Sequence, residues 1–398
     1  MNILIYTHDF LPTIGGVQTI TATLAQGLAD AKSPANGRPA QTNEVTVVTR
    51  TPAGTMDDEH LAFRVVRFPS TAHLYWLIRR ADIVHVSGPA ILPMAMGLAL
   101  RKPVVVEHHG YQAICPSGVY LHQPDGSLCP GYFDSGNYDK CFHCQAAEVS
   151  STRSLRNLLL MFPRRWLAKR VTANIGPSDY TGRRIALPRT HTIYHGIEDP
   201  LELASTSQIS REPICFAYLG RLVPEKGVDL LLRAAGKIKQ SGYAFRLKII
   251  GDGPERKALE HIAEELRLGD CIEFLGYRKA GDLRELLADV SVSVIPSRWE
   301  EAAGLAAIEP MMRGGLVIAA DIGGLGEMVG NVGLKFPSDD VDALADCMRR
   351  VLENPSLIIS VGEVARERAT KVFRKENMTE QHLHLYVQLM HEPGTAPQ

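Results

Sequence analysis

Short apolar runs alternate with helical patterns along most of the chain, which indicates an α/β protein with parallel sheets. The runs that predict strands lie at 2–7, 45–49, 65–68, 83–86, 104–107 and 171–175 in the first half, and at 214–219, 247–250, 272–275, 290–295 and 317–320 in the second. Helices are predicted between several of these strands and at about 339–353, 356–371 and 375–391. Parallel neighbours need long crossover connections, so each half is predicted to form a Rossmann-like domain.

A polar stretch from Ser205 to Glu212 falls between the two sets of strands. Domain boundaries commonly lie in such polar linkers, and the length of 398 residues fits two domains or at most three. We therefore place the boundary at this step, with residues 1–196 in the N-terminal domain and 197–374 in the C-terminal domain.

Composition and charge narrow the class of protein. Hydrophobic residues make up 45% of the chain and charged residues 22%, which is ordinary for a globular enzyme, and the net charge of -1 gives no case for nucleic acid as a partner. The N-terminus enters a strand at once, without the basic segment and apolar core of a secretory leader. No apolar run approaches the length of a membrane span, so we expect a cytoplasmic protein.

Two glutamates flank an apolar helix start in the second half. Glu301 follows the strand predicted at 290–295, and Glu309 lies on the next helix, just over two turns inside it if that helix begins near Glu301. In parallel sheets, ligands bind at the carboxyl ends of the strands. Gly304 and Leu305 offer backbone N–H groups at the helix start, where anions bind. A solvated charged face is the plainer interpretation, and the apolar flanks speak against it.

A basic loop follows the first strand of the second half. Gly220 follows that strand, and Arg221 and Lys226 stand on the same loop ahead of a predicted helix. Two cations held on one loop at a strand end form a charge clamp suited to a diphosphate. The plainer alternative is a structural ion pair between Lys226 and Glu225.

Several glycine turns and one histidine pair occur at other strand ends. A strand-to-helix turn whose glycines let the backbone approach a phosphate is predicted at Gly15 and Gly16, and a second one at Gly251 and Gly253. Either turn taken alone is compatible with simple tight packing. The strand at 104–107 runs into His108 and His109, which taken alone are compatible with a surface histidine pair.

A cysteine-rich insert, residues 111–148, interrupts the first half. It holds four of the seven cysteines of the chain with the spacing C-x13-C-x11-C-x2-C, namely Cys115, Cys129, Cys141 and Cys144. Four thiolates can hold a structural zinc ion, and an insert with little apolar core of its own would gain stability from one. His122 and His143 are reserve ligands. Buried or redox-active thiols without a metal remain the alternative.

The segment 153–170 is basic and amphipathic. Its arginines and lysine accompany a run of leucines, Phe162 and Trp166, a composition that suits peripheral contact with an anionic membrane. The alternative is a pair of core-facing helices with basic outer faces, broken at Pro163.

Taken together, these motifs resemble the retaining GT-B glycosyltransferases of family four, also described as glycosyl transferases group 1. The stretch E-A-A-G-L-A-A-I-E, from Glu301 to Glu309, resembles the Glu-x7-Glu signature of that family, and G-R-L-V-P-E-K-G resembles its G-R-x-x-x-x-K-G. The first-strand Gly-Gly and His109-Gly110 also have counterparts there. Ala302-Ala303 replaces a Gly-Phe of the family, and His195 stands where the family has Asn. The resemblance covers nearly the whole chain except the insert.

The resemblance implies a GT-B fold, in which two Rossmann-like domains face each other across a cleft and the last helix, 375–398, packs back on the N-terminal domain. It implies transfer of a sugar from a UDP- or GDP-linked donor to a glycan or lipid-linked acceptor, with retention of configuration. A role in surface polysaccharide or glycolipid biosynthesis follows from this. No catalytic cofactor or metal is implied, because cationic side chains stand where other transferases use a metal.

The resemblance also implies roles for the residues named above. Arg221 and Lys226 oppose the charge of the leaving diphosphate, assisted by N–H groups near Gly16 and Leu305. Glu309 binds the donor ribose and Glu301 the donor sugar. The other implied contacts with the donor are His109, beside the anomeric carbon, and the backbone loops at Gly15, Gly220, Gly251, Gly253, Gly304 and Tyr277.

Three other functions are compatible with these motifs. One is a related GT-B enzyme, such as a sugar-nucleotide epimerase or a phosphorylase. The second is a catalytically inactive subunit that binds a sugar nucleotide. The third is a redox-sensing or metal-sensing protein built on the cysteine insert.

Overall fold

The computed structural model describes residues 1–13, 15–35, 38–146, 149–200 and 213–391. It divides into two compact units, of which the first comprises residues 1–197 and 374–398 and the second residues 198–373. The polar stretch 205–212, where we expect the domain boundary, lies outside the described residues, as does the end of the predicted last helix, 392–398.

The strands are numbered in chain order. They are β1 (Asn2–Thr7), β2 (Lys32–Ala35), β3 (Arg38–Thr42), β4 (Glu44–Thr49), β5 (Arg64–Arg67), β6 (Ile83–Ser87), β7 (Val104–Glu107), β8 (Leu121–His122), β9 (Ser127–Leu128), β10 (Ala173–Gly176), β11 (Thr190–Thr192), β12 (Cys215–Leu219), β13 (Arg246–Ile250), β14 (Ile272–Gly276), β15 (Val292–Ile295), β16 (Leu316–Ala320) and β17 (Leu334–Phe336).

The α-helices follow the same convention. They are α1 (Gly16–Asp30), α2 (Thr71–Arg80), α3 (Ile91–Ala99), α4 (Tyr138–Ala146), α5 (Ser151–Ala168), α6 (Asp179–Ile185), α7 (Val228–Gln240), α8 (Arg256–Glu265), α9 (Ala280–Leu286), α10 (Leu305–Met312), α11 (Gly323–Val329), α12 (Val341–Glu353), α13 (Ser356–Val372) and α14 (Lys375–His391).

The first unit is built on a parallel sheet with the strand order β11-β10-β7-β6-β1-β4-β5. Helices cover both faces, so strands such as β6 and β7 are buried along their whole length, which explains their continuous apolar runs. The last helix, α14, belongs to this unit and packs against α1. The two helices approach closely at Gly27 of α1, where a Cβ would lie only 2.2 Å from Oγ1 of Thr379 on α14.

The second unit is built on a parallel sheet with the order β14-β13-β12-β15-β16-β17. Its core consists of fully buried side chains from the strands and from helices such as α7 and α12, including Phe216, Ile249, Leu231, Ile318 and Met348. Each crossover returns the chain to the same end of the sheet. The carboxyl ends of the strands, and the loops that follow them, therefore lie along one edge.

The cysteine insert packs onto the body of the first unit. Tyr111, at its start, is among the largest fully buried side chains, and it belongs to one apolar cluster with Cys115, Cys129 and Ala168. A second cluster joins Cys141 to Met161 and other residues of α5. The insert therefore shares its core with the unit instead of building one of its own.

The basic segment forms one continuous helix. α5 runs from Ser151 to Ala168 with Pro163 inside it, so the expected break at Pro163 is wrong. One face, with Leu158 and Met161, is buried. No helix among the described residues is both long and apolar enough to span a bilayer.

Candidate active site

The second sheet brings several strand-to-helix loops to one edge. The carboxyl ends of β13, β12, β15 and β16 are neighbours in that order, and the loops that follow them are 251–255, 220–227, 296–304 and 321–322. Every candidate residue predicted in the second half lies on one of these loops, on α10, or on the loop after β14. The fold of this unit therefore gathers them at the edge where parallel sheets bind ligands.

Lys226 and Glu301 form a largely buried ion pair. The Nζ of Lys226 lies 2.8 Å from Oε1 of Glu301, and the two side chains are 20% and 8% exposed. The hydroxyl of Ser297 donates a hydrogen bond to the same oxygen. Burial alone would raise the pKa of Glu301, but the Lys226 ammonium and the hydrogen bonds hold this pKa below its ordinary value. The carboxylate is therefore ionised at neutral pH and fixed in one orientation.

The loop that carries Glu301 is anchored on both sides. Arg298 makes a bidentate contact with Asp229 at the start of α7, with distances of 2.5 and 2.8 Å, and its backbone N–H donates to the carbonyl of Glu225 at 2.9 Å. The backbone N–H of Gly324 donates to the carbonyl of Glu301 at 2.6 Å. These contacts tie the loops after β12 and β15 to the starts of α7 and α11 and form one frame around the ion pair.

Arg221 stands at the exposed end of this loop group. Its side chain is 74% exposed, and its Nη2 lies 3.6 Å from Oε1 of Glu225. The alternative of an ion pair between Lys226 and Glu225 is therefore wrong. Glu225 pairs with Arg221, and Lys226 pairs with Glu301. An exposed pair at this distance holds Arg221 weakly, and the guanidinium is available to an anionic ligand.

Helix α10 starts at Leu305 and not near Glu301. Glu309 therefore lies just over one turn inside the helix, instead of just over two. Gly304 precedes it with a φ of 60°, and a Cβ there would lie 2.8 Å from Cα of Leu325. Only glycine fits this step. Glu309 is partly exposed and accepts a hydrogen bond from Nη2 of Arg313 at 2.9 Å.

The glycines of the second turn serve the packing of the loops. A Cβ on Gly251 would lie 1.8 Å from the carbonyl oxygen of Gly220, and one on Gly253 would lie 2.2 Å from that of Leu222. This close approach requires glycine whether or not a donor binds there, so the roles of Gly220, Gly251 and Gly253 in donor binding stay predictions. Tyr277 follows β14 and is 56% exposed.

In the first unit, the predicted Gly-Gly turn opens α1, and His109 lies at the end of β7. The helix begins at Gly16, directly after Gly15. Nε2 of His109 lies 2.7 Å from the hydroxyl of Ser87, which in turn lies 3.0 Å from the hydroxyl of Thr21 on α1. Burial lowers the pKa of His109 to about 3, so this imidazole is neutral.

His108 points away from His109 into the interior. It is fully buried, and its Nε2 lies 2.8 Å from Oδ1 of Asn174. The amide nitrogen of Asn174 donates to the carbonyls of Ala168 and Pro188, at 3.0 and 2.9 Å. Burial lowers the pKa of His108 to about 4. These contacts give His108 a structural role, tying β7 to β10 and to the end of α5.

A buried carboxylate at the end of β7 is absent from the predicted site residues. Glu107 is 1% exposed, and histidines from four different elements surround it. Burial alone would raise its pKa, but neighbouring imidazoles, first among them those of His109 and His195, hold the pKa of Glu107 well below its ordinary value. The one available signal was an acidic residue at the end of an otherwise apolar strand. Ser297, which donates a hydrogen bond to Glu301, could not be recognised from the sequence pattern.

The four cysteines of the insert lie near one another. All four are buried and free of disulfides. Burial, together with the neighbouring thiols of Cys115, Cys129 and Cys144, raises the pKa of Cys141 to about 12. Among the described residues, the sets of three or more ligand atoms within 4.8 Å of one another are both centred on Glu107, and the cysteine sulfurs form no such set.

Comparison with solved structures identifies the fold. The Anabaena protein HepE, solved in complex with UDP-glucose, matches with a TM-score of 0.69 at 18% identity, over 98% of this chain and 99% of that one. Sucrose-phosphate synthase from Thermosynechococcus elongatus matches with a TM-score of 0.68 at 22% identity, over 98% and 99% of the two chains. The expected GT-B class, α/β with two Rossmann-like parallel-sheet domains, is confirmed.

The sequence comparison agrees with the motifs. Residues 202–369 match the model of the glycosyl transferases group 1, which confirms the resemblance seen in the motifs of the second half. An α-D-kanosaminyltransferase of Streptomyces kanamyceticus is 29% identical over 282 residues, 67% of this chain and 66% of that protein. Other curated relatives match over a smaller share of their length, such as 39% of a 2-deoxystreptamine glucosyltransferase from the same organism.

Proposed function

We propose that the chain is a retaining glycosyltransferase that moves a sugar from a nucleoside-diphosphate donor to an acceptor hydroxyl. The observation that carries this proposal is the buried Lys226–Glu301 pair, held 2.8 Å apart beside the exposed Arg221 at the carboxyl edge of the second sheet. A fixed carboxylate suits the hydroxyls of a sugar, and the two cations suit a diphosphate. The three side chains thus offer the two kinds of contact that a sugar nucleotide needs.

The cations act on the charge that develops during transfer. When the glycosidic bond to the leaving diphosphate breaks, negative charge grows on the β-phosphate. Arg221 and Lys226 oppose that charge, with the N-terminus of α10 at Leu305 adding its N–H groups. The acceptor attacks the same face of the sugar from which the diphosphate departs, and the leaving phosphate takes the acceptor proton. No carboxylate is needed as a general base, and no catalytic metal is needed.

The remaining candidates take part in binding the donor. Glu309 binds the ribose hydroxyls, and its contact with Arg313 orients it for this. The roles that the family resemblance implies for Gly16 and His109, both in the first unit, stay predictions.

The donor is proposed to be a UDP-sugar, because HepE, which shares the fold, is solved with UDP-glucose. The acceptor is proposed to be a glycan or a lipid-linked molecule, in keeping with a role in the synthesis of a surface polysaccharide or glycolipid. A curated relative in Streptomyces coelicolor is described as an exopolysaccharide phosphotransferase, and it is 34% identical over 173 residues, 43% of this chain and 18% of that protein.

The experiment has two stages. A thermal-shift screen of the full chain against UDP- and GDP-sugars identifies the donor, because a specific ligand stabilises the folded state by mass action. Turnover with that donor and a panel of acceptors follows, and NMR of the anomeric proton reads the configuration of the product. Retained configuration in a new glycoside supports the proposal. An inverted product contradicts retention. Free sugar or sugar phosphate indicates an epimerase or a phosphorylase, and tight donor binding without turnover indicates an inactive subunit.

The outer face of α5 is proposed to contact the membrane that carries the acceptor. Four large apolar side chains, Leu155, Leu159, Phe162 and Trp166, are 45–58% exposed. Their spacing of four, three and four residues places them on one stripe of the helix. Basic residues flank this stripe, and the guanidinium of Arg170 lies 3.9 Å from the ring of Trp166. An apolar stripe with basic neighbours suits an anionic bilayer surface.

Replacing Leu159 and Trp166 together with serine is expected to weaken binding to vesicles with anionic lipids by at least about tenfold, because each residue loses the burial of a large apolar side chain. Co-sedimentation with vesicles of phosphatidylcholine and phosphatidylglycerol measures this. Trp76→Ser is the matched control, since Trp76 on α2 is also about half exposed and also lies under an arginine, Arg80. Equal loss in the control, or no binding by the unchanged chain, contradicts the assignment.

A structural zinc ion is proposed for the insert. The four thiols are buried and close enough to raise the pKa of Cys141, and the backbone N–H of Gln123 lies 3.4 Å from Sγ of Cys144. An N–H aimed at sulfur is the kind of contact that supports a metal-bound thiolate. Zinc would lower the thiol pKa values and draw the sulfurs together into a four-coordinate site.

Cys141→Ser is expected to lower the zinc content of the purified chain by about one atom, because a four-thiolate site loses affinity steeply with one ligand removed. Metal analysis after dialysis gives the count. Cys347→Ser, at a buried cysteine of the second unit, is the control and should leave the content unchanged. A chain that is fully active and holds no sulfur-bound zinc contradicts the proposal and favours free thiols.

A further inference from the structure

A second cluster of metal-ligating side chains lies inside the first unit, apart from the cysteines. Oε2 of Glu107 lies 3.2 Å from Nε2 of His85 on β6 and 3.9 Å from Nε2 of His382 on α14. All three side chains are fully buried or nearly so, and their ligand atoms lie within 4.8 Å of one another. The sequence separates these residues by up to about three quarters of the chain, and only the fold of this unit brings them together.

The hydrogen bond of His382 fixes which of its nitrogens carries a proton. Its Nδ1 lies 2.8 Å from the carbonyl oxygen of Met378, one turn earlier on α14. A carbonyl only accepts hydrogen bonds, so Nδ1 carries the proton, and in the neutral ring Nε2 carries a lone pair. That Nε2 is buried, has no hydrogen-bond partner, and faces the carboxylate of Glu107. Two lone-pair groups facing each other in a dry interior require a positive charge between them.

His85 can adopt the same arrangement, because a tyrosine hydroxyl can accept a hydrogen bond from Nδ1 as well as donate one. Its Nδ1 lies 2.8 Å from the hydroxyl of Tyr386, also on α14, and its Nε2 is buried without a hydrogen-bond partner. A histidine that binds a metal through one nitrogen usually donates its other N–H to an oxygen. Both His382 and His85 therefore have the outer contact of a metal ligand, and both present Nε2 to the same oxygen.

We propose that His85, Glu107 and His382 bind one divalent transition-metal ion, of which Zn²⁺ is the best match to two imidazoles and a carboxylate. Bonds of 2.0–2.1 Å in a tetrahedral site place ligand atoms about 3.3 Å apart. The 3.2 Å spacing of His85 and Glu107 already has this value, and the 3.9 Å spacing of His382 reaches it by a shift of about half an ångström. The ion would fasten α14 to the centre of the sheet.

The neighbouring histidines belong to the surroundings of this site. Nε2 of His195 lies 3.2 Å from Oε1 of Glu107 and orients the carboxylate. Nε2 of His109 is engaged by Ser87 at 2.7 Å. In both rings Nδ1 is buried without a hydrogen-bond partner, so neither has the outer contact that His85 and His382 have. This difference selects the trio from the two possible groups around Glu107.

The test uses the full chain carrying Cys141→Ser and Cys144→Ser, which removes the sulfur site. The protein is stripped with a chelator and reloaded with Zn²⁺, and metal analysis, zinc X-ray absorption and a melting curve are recorded. About one zinc per chain with a shell of nitrogen and oxygen is expected. Free Zn²⁺ at about 100 times its dissociation constant should raise the melting temperature by roughly 5–10 °C.

Two further substitutions locate the ion. His382→Gln is expected to abolish this zinc and its thermal shift, whereas His384→Gln, at an exposed histidine on the same helix, is expected to leave both unchanged. Zinc bound equally by both folded variants, or no zinc in the folded parent, overturns the proposal. The latter result would indicate that a proton bridges His382 and Glu107.

A titration with Co²⁺ covers the case in which a variant fails to fold. The unchanged chain is stripped and titrated, because thiolate ligands give strong charge-transfer absorption in the near ultraviolet and imidazole with carboxylate does not. An equivalent of tightly bound cobalt without charge-transfer absorption supports the site, whether or not a sulfur-bound equivalent accompanies it. Cobalt that binds only with sulfur ligation, or not at all, overturns it.

Discussion

Lys226→Ala is expected to lower donor turnover by two to three orders of magnitude. Charge on the leaving diphosphate grows toward the transition state, so a cation that faces it stabilises the transition state more than the bound donor. Loss of one such group raises the barrier by roughly 3–4 kcal/mol. Steady-state kinetics with the identified donor measures the effect, and KM is expected to change less than kcat.

The same substitution is also expected to destabilise the second unit. Its partner Glu301 is a carboxylate with 8% exposure. Removing Lys226 leaves this buried charge with the hydrogen bond from the Ser297 hydroxyl but without its cation. Breaking a buried pair in this way costs roughly 3 kcal/mol. The double variant Lys226→Ala with Glu301→Gln is expected to recover much of this stability without recovering turnover, because the buried charge is then gone but the cation is still missing.

Lys237→Ala supplies the matched control for Lys226. Lys237 also belongs to an ion pair in the second unit, with Asp342, but that pair is exposed. Exposed pairs contribute at most about 1 kcal/mol, so both turnover and melting temperature should stay near those of the unchanged chain. A folded Lys226→Ala variant with turnover within threefold of normal would contradict the catalytic role and leave Lys226 as the structural partner of Glu301.

The sheets could be predicted from the sequence because helices cover both faces of a parallel sheet, and strands buried on both faces appear as continuous apolar runs. β1 and β7 occur at the predicted residues, and the strand predicted at 247–250 begins one residue earlier. Ends set by local conformation were harder to predict. Gly304 takes a left-handed conformation and delays α10 to Leu305, and Pro163 sits inside α5 without ending it. Such details depend on neighbouring contacts more than on the composition of the segment.

The candidate site could be predicted only in part, for a related reason. Arg221 and Lys226 share one loop, so a local motif reveals them. The partner of Lys226 is 75 residues further along the chain, and local spacing favoured Glu225 instead. Similarly, His85, Glu107 and His382 belong to three elements that become neighbours only after folding. Contacts that depend on strand order and on the return of α14 leave no periodic signal in the sequence.

Arg221→Ala is expected to lower turnover by two to three orders of magnitude as well, but without loss of stability. Arg221 is 74% exposed and lies 3.6 Å from Glu225, so its contribution to the free energy of unfolding is at most about 1 kcal/mol. Its planar guanidinium can bind two phosphate oxygens at once, an interaction that strengthens as the diphosphate gains charge. Melting curves and donor kinetics recorded side by side separate the two effects.

Arg349→Ala and Arg221→Lys complete this experiment. Arg349 is an exposed arginine of the same unit that also pairs with acidic neighbours on its own helix, so its removal should leave turnover unchanged. Arg221→Lys keeps the charge but loses the planar guanidinium whose N–H groups bind two phosphate oxygens at once, so an intermediate turnover is expected. The unchanged chain should stay active in excess chelator, because cations of the protein stand where a metal would. This activity must be measured over short times, before the chelator removes a structural zinc ion. Near-normal turnover in a folded Arg221→Ala variant would refute the charge clamp, since no stability effect could then account for the result.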